Sequence, residues 1–272
     1  MSGWRFALKS QPALRVDLRG VTPAALSGMS AGDLERITVG HGNAFVPLAE
    51  FFGITPNDGD EALVFDGDLS RFDRVGWKMA GGSIRVTGPV GHYTGGCMSA
   101  GEMLVEGRAG LLAACEMAGG RLTVLGDVGD FAAGTLPGSL DGMRGGAFIV
   151  KGNAGARFGD RMRRGSAIVH GHAGDFLASR MAAGTIAVGG SVGAHVGYGM
   201  RRGSVVLASA PAGFEPAATF VPAIAAVDVI WQLLARDLAR QGGPFATLAS
   251  RRIERHLGDL SADGKGELIA AK

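Results

Sequence analysis

Met79-Ala-Gly-Gly82-Ser-Ile84-Arg-Val86-Thr-Gly88-Pro-Val-Gly91-His-Tyr-Thr-Gly-Gly-Cys97 is the first copy of a 19-residue unit that repeats to residue 208. Seven methionines open the copies: Met79, Met98, Met117, Met143, Met162, Met181 and Met200. Their spacings are 19, 19, 26, 19, 19 and 19, so one seven-residue insertion, 135–141, interrupts a strict period. Glycine stands three residues after every methionine, from Gly82 to Gly203. It also stands nine and twelve residues after in six of the seven copies. A fixed short period of this kind specifies a solenoid, whose units bury their apolar side only by stacking on one another.

Nineteen residues are too few for a helical repeat, which needs roughly 30 or more. The apolar columns point to strands instead. Seven residues after the methionine stand Val86, Val105, Val124, Val150, Val169, Val188 and Leu207. Five residues after it stand Ile84, Met103, Leu122, Phe148, Ala167, Ile186 and Val205. Alternation with polar or mixed neighbours is the period of a half-buried strand, and β-branched residues suit its pleated surface. Glycines at the strand ends supply turns and close approach between coils. The expected fold is all-β: a right-handed parallel β-helix, a single-stranded solenoid of about 19 residues per coil. Its methionines should form one internal stack.

Outside the repeat the pattern changes. Residues 1–59 are expected to form an irregular N-terminal cap. It should hold strand-like pieces at 14–18 and 37–39 and a short helix after Pro47. Residues 60–214 are assigned to the glycine-rich β-helix and 215–272 to a C-terminal helical extension and tail. Solenoid ends require covers, since bare strand edges polymerise. Helical spacing of Ile224, Val227, Ile230, Trp231, Leu234 and Leu238 predicts a helix over 223–240, and a second is expected over 245–257.

Composition narrows the class. Of 272 residues 47 are glycine, which the repeat explains, and the net charge of +2 gives no global case for nucleic acid. Residues 1–10 carry Trp4, Arg5 and Lys9 without an apolar run, so no leader is expected. The most apolar tract, 223–235, is broken by Asp228 and Gln232, so no membrane span is expected either. Cys97 and Cys115 fall at one corner of adjacent coils. A disulfide is open to them, but the favoured reading is free thiols in a cytoplasmic protein.

A catalytic β-helix would present acids or histidines in register. The column ten after the methionine reads Pro89, Arg108, Asp127, Asn153, His172 and Ser191, suggesting an Arg108–Asp127 ion pair and an Asn153–His172 ladder. The column thirteen after reads His92, Leu111, Asp130, Ala156, Asp175 and Ala194. Asp130 and Asp175 stand two coils, about 10 Å, apart, a separation open to inverting glycoside hydrolysis. Ala156 lies between them, and no aromatic platform is expected beside them. His170 and His172 share a strand face without a third ligand, so neither catalytic nor metal-binding residues are expected here. One charged feature remains. Arg144, Arg161, Arg163, Arg164, Arg180, Arg201 and Arg202 sit at coil junctions and should stack into a basic stripe, either a solvated edge or a docking surface for an acidic partner or polyanion.

The coil Gly82-Ser-Ile-Arg-Val-Thr-Gly88-Pro-Val-Gly91 resembles the glycine-rich β-helix of the formylmethanofuran dehydrogenase C subunits and of the glutamate synthase large subunit's C-terminal domain. The tail Leu257-Gly-Asp-Leu-Ser-Ala-Asp-Gly-Lys-Gly-Glu267-Leu-Ile and the segment Ile37-Thr-Val-Gly-His-Gly-Asn43 resemble the same C-subunit family. Its length resembles the bacterial members, from formyltransferase/hydrolase complexes. That resemblance implies a structural subunit in one-carbon metabolism. Its complex would move a formyl group from tetrahydromethanopterin to a methanofuran-type carrier and release formate. Partners would be an amidohydrolase-type subunit, a formyltransferase subunit and one further subunit. The carrier and metal ions would reside in those partners, and the carrier's glutamate-rich tail is one candidate ligand for the basic stripe. Two alternatives stay open: the C subunit of a molybdenum- or tungsten-dependent formylmethanofuran dehydrogenase, and a β-helix enzyme acting on a polyanionic polymer.

Overall fold

A computed structural model of the chain describes residues 3–57, 61–209, 214–224 and 228–272. Strands Ala80–Val86, Ala100–Val105, Arg121–Val124, Arg144–Val150, Arg164–Val169, Thr185–Val188 and Ser204–Leu207 stack in chain order, each parallel to the last. Their register is the sequence period: Ile84 lies beside Met103, then Leu122, Phe148, Ala167, Ile186 and Val205. Every residue of that column is buried, and the seven methionines are fully buried. The solenoid and its methionine stack are therefore those the sequence specifies.

Each coil has two further sides. On the second, single-residue parallel bridges run from Leu69 through Val90, Ala109, Val128, Ala154 and Ala173 to Val192. On the third, Tyr93, Leu112, Phe131, Arg157, Phe176 and His195 all adopt left-handed φ values of 58–61°. Such conformations cost about 1–2 kcal/mol each outside glycine. Here they aim alternate N–H groups at the coils on either side. Phe131 donates to the Ala156 carbonyl of the following coil at 2.9 Å, and Ala133 donates back to Ala113 at 2.8 Å. The backbone of this side is thus paired without forming a strand.

Gly101 shows why the first glycine column is fixed. Its φ is 92°, and an added Cβ would sit 2.5 Å from the Gly82 carbonyl oxygen and 2.7 Å from Met79 Cε. Methionine and glycine columns are therefore two halves of one packing solution.

Both ends continue the sheet before closing it. At the N-terminal end, Gly3–Leu8 lies parallel to Leu63–Asp66, itself parallel to Ala80–Val86, and antiparallel to Phe52–Asn57. Phe6 stacks on Phe65 with centroids 4.8 Å apart and meets Phe52 edge-on, plugging the open core with aromatic rings. The expected short helix is present as Leu48–Phe51, and the strand-like pieces appear as Val16–Asp17 and Thr38–His41 in a second, four-stranded sheet.

The C-terminal end departs from expectation. A helix spans Asp228–Ala239 and seats Trp231, Ala235 and Leu238 against the sheet; residues 225–227 of the expected helix lie outside those described. The second expected helix is absent. Residues 245–257 instead form 3-10 turns and the strand Ile253–Gly258. That strand pairs antiparallel with Gly266–Ala271, which lies parallel to Ser204–Leu207 as the next layer of the solenoid. The tail is a core element, with Leu268, Ile269, Ala270 and Ala271 buried. Short-range spacing of Leu248 and Ile253 mimicked a helix, but Gly266–Ala271, once laid on Ser204–Leu207, offered a free edge whose ladder bonds only a strand could take.

Candidate functional site

The polar columns are joined by one recurring interaction: a side-chain acceptor on one coil takes a backbone N–H from the following coil. Asp127 Oδ1 accepts from Asn153 N at 2.6 Å, Asn153 Oδ1 from His172 N at 2.8 Å, and His172 Nδ1 from Ser191 N at 2.9 Å. In the next column, Asp73 Oδ1 accepts from His92 N at 2.7 Å, and His92 Nδ1 from Leu111 N at 3.0 Å. Asp130 and Asp175 each accept from an alanine N–H at 2.8 Å. These acceptors satisfy backbone donors at corners where the strand ladder lapses. The expected Arg108–Asp127 ion pair is not formed among the described residues; Asp127 is turned to the backbone instead. The Asn153–His172 ladder is present.

The flanks of Asp130 and Asp175 also differ from the sequence reading. Phe131 and Phe176 follow them directly, and the left-handed backbone brings their rings around Arg157. Its guanidinium lies 5.7 Å from the Phe131 centroid and 4.6 Å from that of Phe176, which stacks on His195 at 4.7 Å. An aromatic–cationic ladder therefore runs down the third side, a contact that strand periodicity could not reveal. On the first side, Lys151 Nζ lies 2.9 Å from His170 Nε2, whose ring meets Phe245 edge-on. Burial lowers the pKa of both, and for His170 the neighbouring Lys151 charge adds to it.

The seven junction arginines divide into two groups. Arg161 and Arg180 occupy left-handed positions and turn to Asp160, a carboxylate only 3% exposed. They belong to a structural ion cluster, which corrects the expectation of one seven-membered stripe. Arg144, Arg163, Arg164 and Arg202 instead converge on a cleft of about 510 Å³ floored by Ala182 and Ala183. Arg201 and Arg202 line an adjoining hollow with Asp263 and Lys265. Asp141, at the end of the seven-residue insertion, borders the cleft and binds Arg163 at 3.0 Å; Glu116 approaches Arg144 at 3.7 Å. Arg164, Arg201 and Arg202 have no carboxylate within ion-pair distance among the described residues.

No family model matches the chain. Solved structures do. The chain superposes on one from the formyltransferase/hydrolase complex (FhcABCD) of Methylorubrum extorquens in complex with methylofuran, with a TM-score of 0.90 and 40% identity. The match covers 98% of this chain and 99% of that one. The chain belongs to the C-subunit family of formyltransferase/hydrolase complexes. In direct sequence comparison it is 44% identical over 78 residues to the C subunit of that complex from Methylorubrum extorquens, a match spanning 29% of each chain. It is also 32% identical over 91 residues to the C subunit of the tungsten-containing formylmethanofuran dehydrogenase 2 of Methanothermobacter thermautotrophicus, across 32% of this chain and 34% of that one.

The chain is thus an all-β solenoid built on a largely parallel sheet, the fold of the solved Methylorubrum chain. No helix among the described residues is long and apolar enough to cross a membrane. Cys97 and Cys115 are free thiols on adjacent coils, and burial raises the pKa of both. Their backbones are joined by a bond from Cys97 N to the Cys115 carbonyl at 2.8 Å.

Proposed function

We propose that this chain is the non-catalytic, structural subunit of a cytoplasmic complex that transfers a formyl group from formyl-tetrahydromethanopterin to a methanofuran-type carrier and hydrolyses it to formate. Its partners are an amidohydrolase-type subunit, a formyltransferase subunit and one further subunit, and the carrier and metal ions belong to those chains. The observation that carries this reading is the 40% identity with the solved complex over nearly the whole chain. The use of the polar columns agrees with it. Asp127, Asp130 and Asp175 each use Oδ1 to hold a backbone N–H of the following coil, a bracing role that suits a structural subunit. Identity to the tungsten enzyme's C subunit is 32% over 91 residues against 44% over 78 for the bacterial one, which favours the bacterial complex as the parent assembly.

Affinity purification of a tagged chain from its native host tests this. Co-elution with an amidohydrolase and a formyltransferase from the soluble fraction is the expected result. Elution with a molybdopterin-binding subunit, or alone, overturns it.

A further inference from the structure

Two arginine pairs, Arg163–Arg164 and Arg201–Arg202, occupy equivalent places on coils two layers apart, and the coil between them carries Ala182–Ala183 at the same place. Coil spacing sets the two pairs about 10 Å apart. The result is a groove with cationic walls and a floor of methyl groups, extended on one side by Arg144 and on the other by Lys265. Across cleft and hollow, Arg144, Arg163, Arg164, Arg201, Arg202 and Lys265 face two carboxylates, Asp141 and Asp263.

We propose that this groove is the docking site for an extended, carboxylate-rich segment of a partner polypeptide within the complex. The proposal rests on the subunit role stated above. Arg144 and Arg164 are register partners on neighbouring strands, and like charges placed opposite one another destabilise a sheet. Arg164, Arg201 and Arg202, which have no carboxylate within ion-pair distance among the described residues, add to this repulsion in the free chain and gain from an anionic occupant. An extended chain sends successive side chains to opposite sides, so consecutive acidic residues lying in the groove would reach both walls at once. Guanidinium groups bind carboxylates in a two-pronged geometry, and the alanine floor leaves room for the occupant's backbone. No aromatic side chain lines the groove, so base stacking, on which single-stranded nucleic acid binding depends, has no platform.

The test uses a fluorescein-labelled hexa-L-glutamate peptide against the purified full chain and against the intact complex. Binding to the free chain is expected to weaken at least tenfold in Arg164→Ala/Arg202→Ala and in Ala182→Glu/Ala183→Glu, with unchanged circular dichroism. The intact complex is expected to bind the peptide at least tenfold more weakly than the free chain, because its own segment fills the groove. Equal binding by wild type and both variants overturns the proposal. So does equal binding by free chain and complex, or binding of inositol hexakisphosphate but not of the peptide. Failure of these arms in a chain that still co-purifies with its partners refutes the groove and leaves the subunit role standing; loss of co-purification refutes the role itself.

Discussion

Arg180 grips Asp160 through both carboxylate oxygens, with Nη2 2.9 Å from Oδ1 and 3.0 Å from Oδ2. The buried Ser179 hydroxyl donates to the same carboxylate, and Arg161 approaches it from the following residue. Asp160 therefore ties two consecutive coils together at a corner where no strand runs. Asp160→Ala would leave a guanidinium and a buried hydroxyl without their acceptor. A loss of about 3 kcal/mol is expected, the low end for breaking a buried pair because Arg180 is partly exposed. Urea unfolding measures it, and a wild-type midpoint would show that the cluster is dispensable.

Two glycines with similar positive φ should lose different amounts of stability on substitution by alanine. At Gly101 a Cβ collides with backbone and with Met79, whereas at Gly138, φ 84°, it meets nothing within 4 Å. Gly138→Ala should cost only the left-handed penalty, about 1–2 kcal/mol. Gly101→Ala should cost clearly more, because the collision is with the neighbouring coil's carbonyl and cannot relax locally. Paired thermal melts distinguish the two, and equal losses would mean that coil spacing is soft.

Asp175→Ala removes the acceptor for the Ala194 N–H. A loss of about 0.5–1 kcal/mol is expected, because the bond is exposed and water can replace the acceptor, and Asp130→Ala should behave alike. Formyl transfer and hydrolysis by a complex carrying either variant should remain at wild-type rates per assembled complex. A large fall in the turnover rate with assembly intact would assign these carboxylates to chemistry.

Stability should depend on pH through His92. Burial, assisted by the Arg15 charge, lowers its pKa below the ordinary 6.5. As pH falls, the unfolded chain takes up the proton first, so stability is full above about 6.5 and declines below it until the folded pKa is passed. Protonation also removes the Nδ1 acceptor of Leu111 N. His92→Asn should flatten this part of the profile, since Asn153 makes the equivalent bond one column away. His170, lowered for a similar reason, adds in the same direction. Unfolding midpoints measured between pH 5 and 8 test the slope, and a profile unchanged in His92→Asn would remove His92 from it.

Much of the solenoid is legible in its repeat. Columns such as Ile84–Met103–Leu122 appear in the structure as register partners because one coil's length fixes which residues lie side by side. The side bearing Phe131, Arg157 and Phe176 is not legible in this way. Its alternating left-handed backbone has no side-chain period, and glycine, the usual sign of positive φ, is replaced there by aromatic and charged residues. The tail misleads for another reason. Ile253–Gly258 becomes a strand only because Gly266–Ala271, itself laid on the edge of the last coil more than 60 residues before it, offers a free ladder, and local spacing carries no information about that placement.

The arginines draw the same boundary. Sequence alone determined that they recur at coil junctions, because the period counts them into the same place on each turn. Only the tertiary structure decided that Arg161 and Arg180 turn to a buried carboxylate while Arg164 and Arg202 face an open groove. A period fixes where a Cα lies, but the direction of each side chain depends on local φ and on which carboxylate, supplied from another coil or from the insertion, comes within reach.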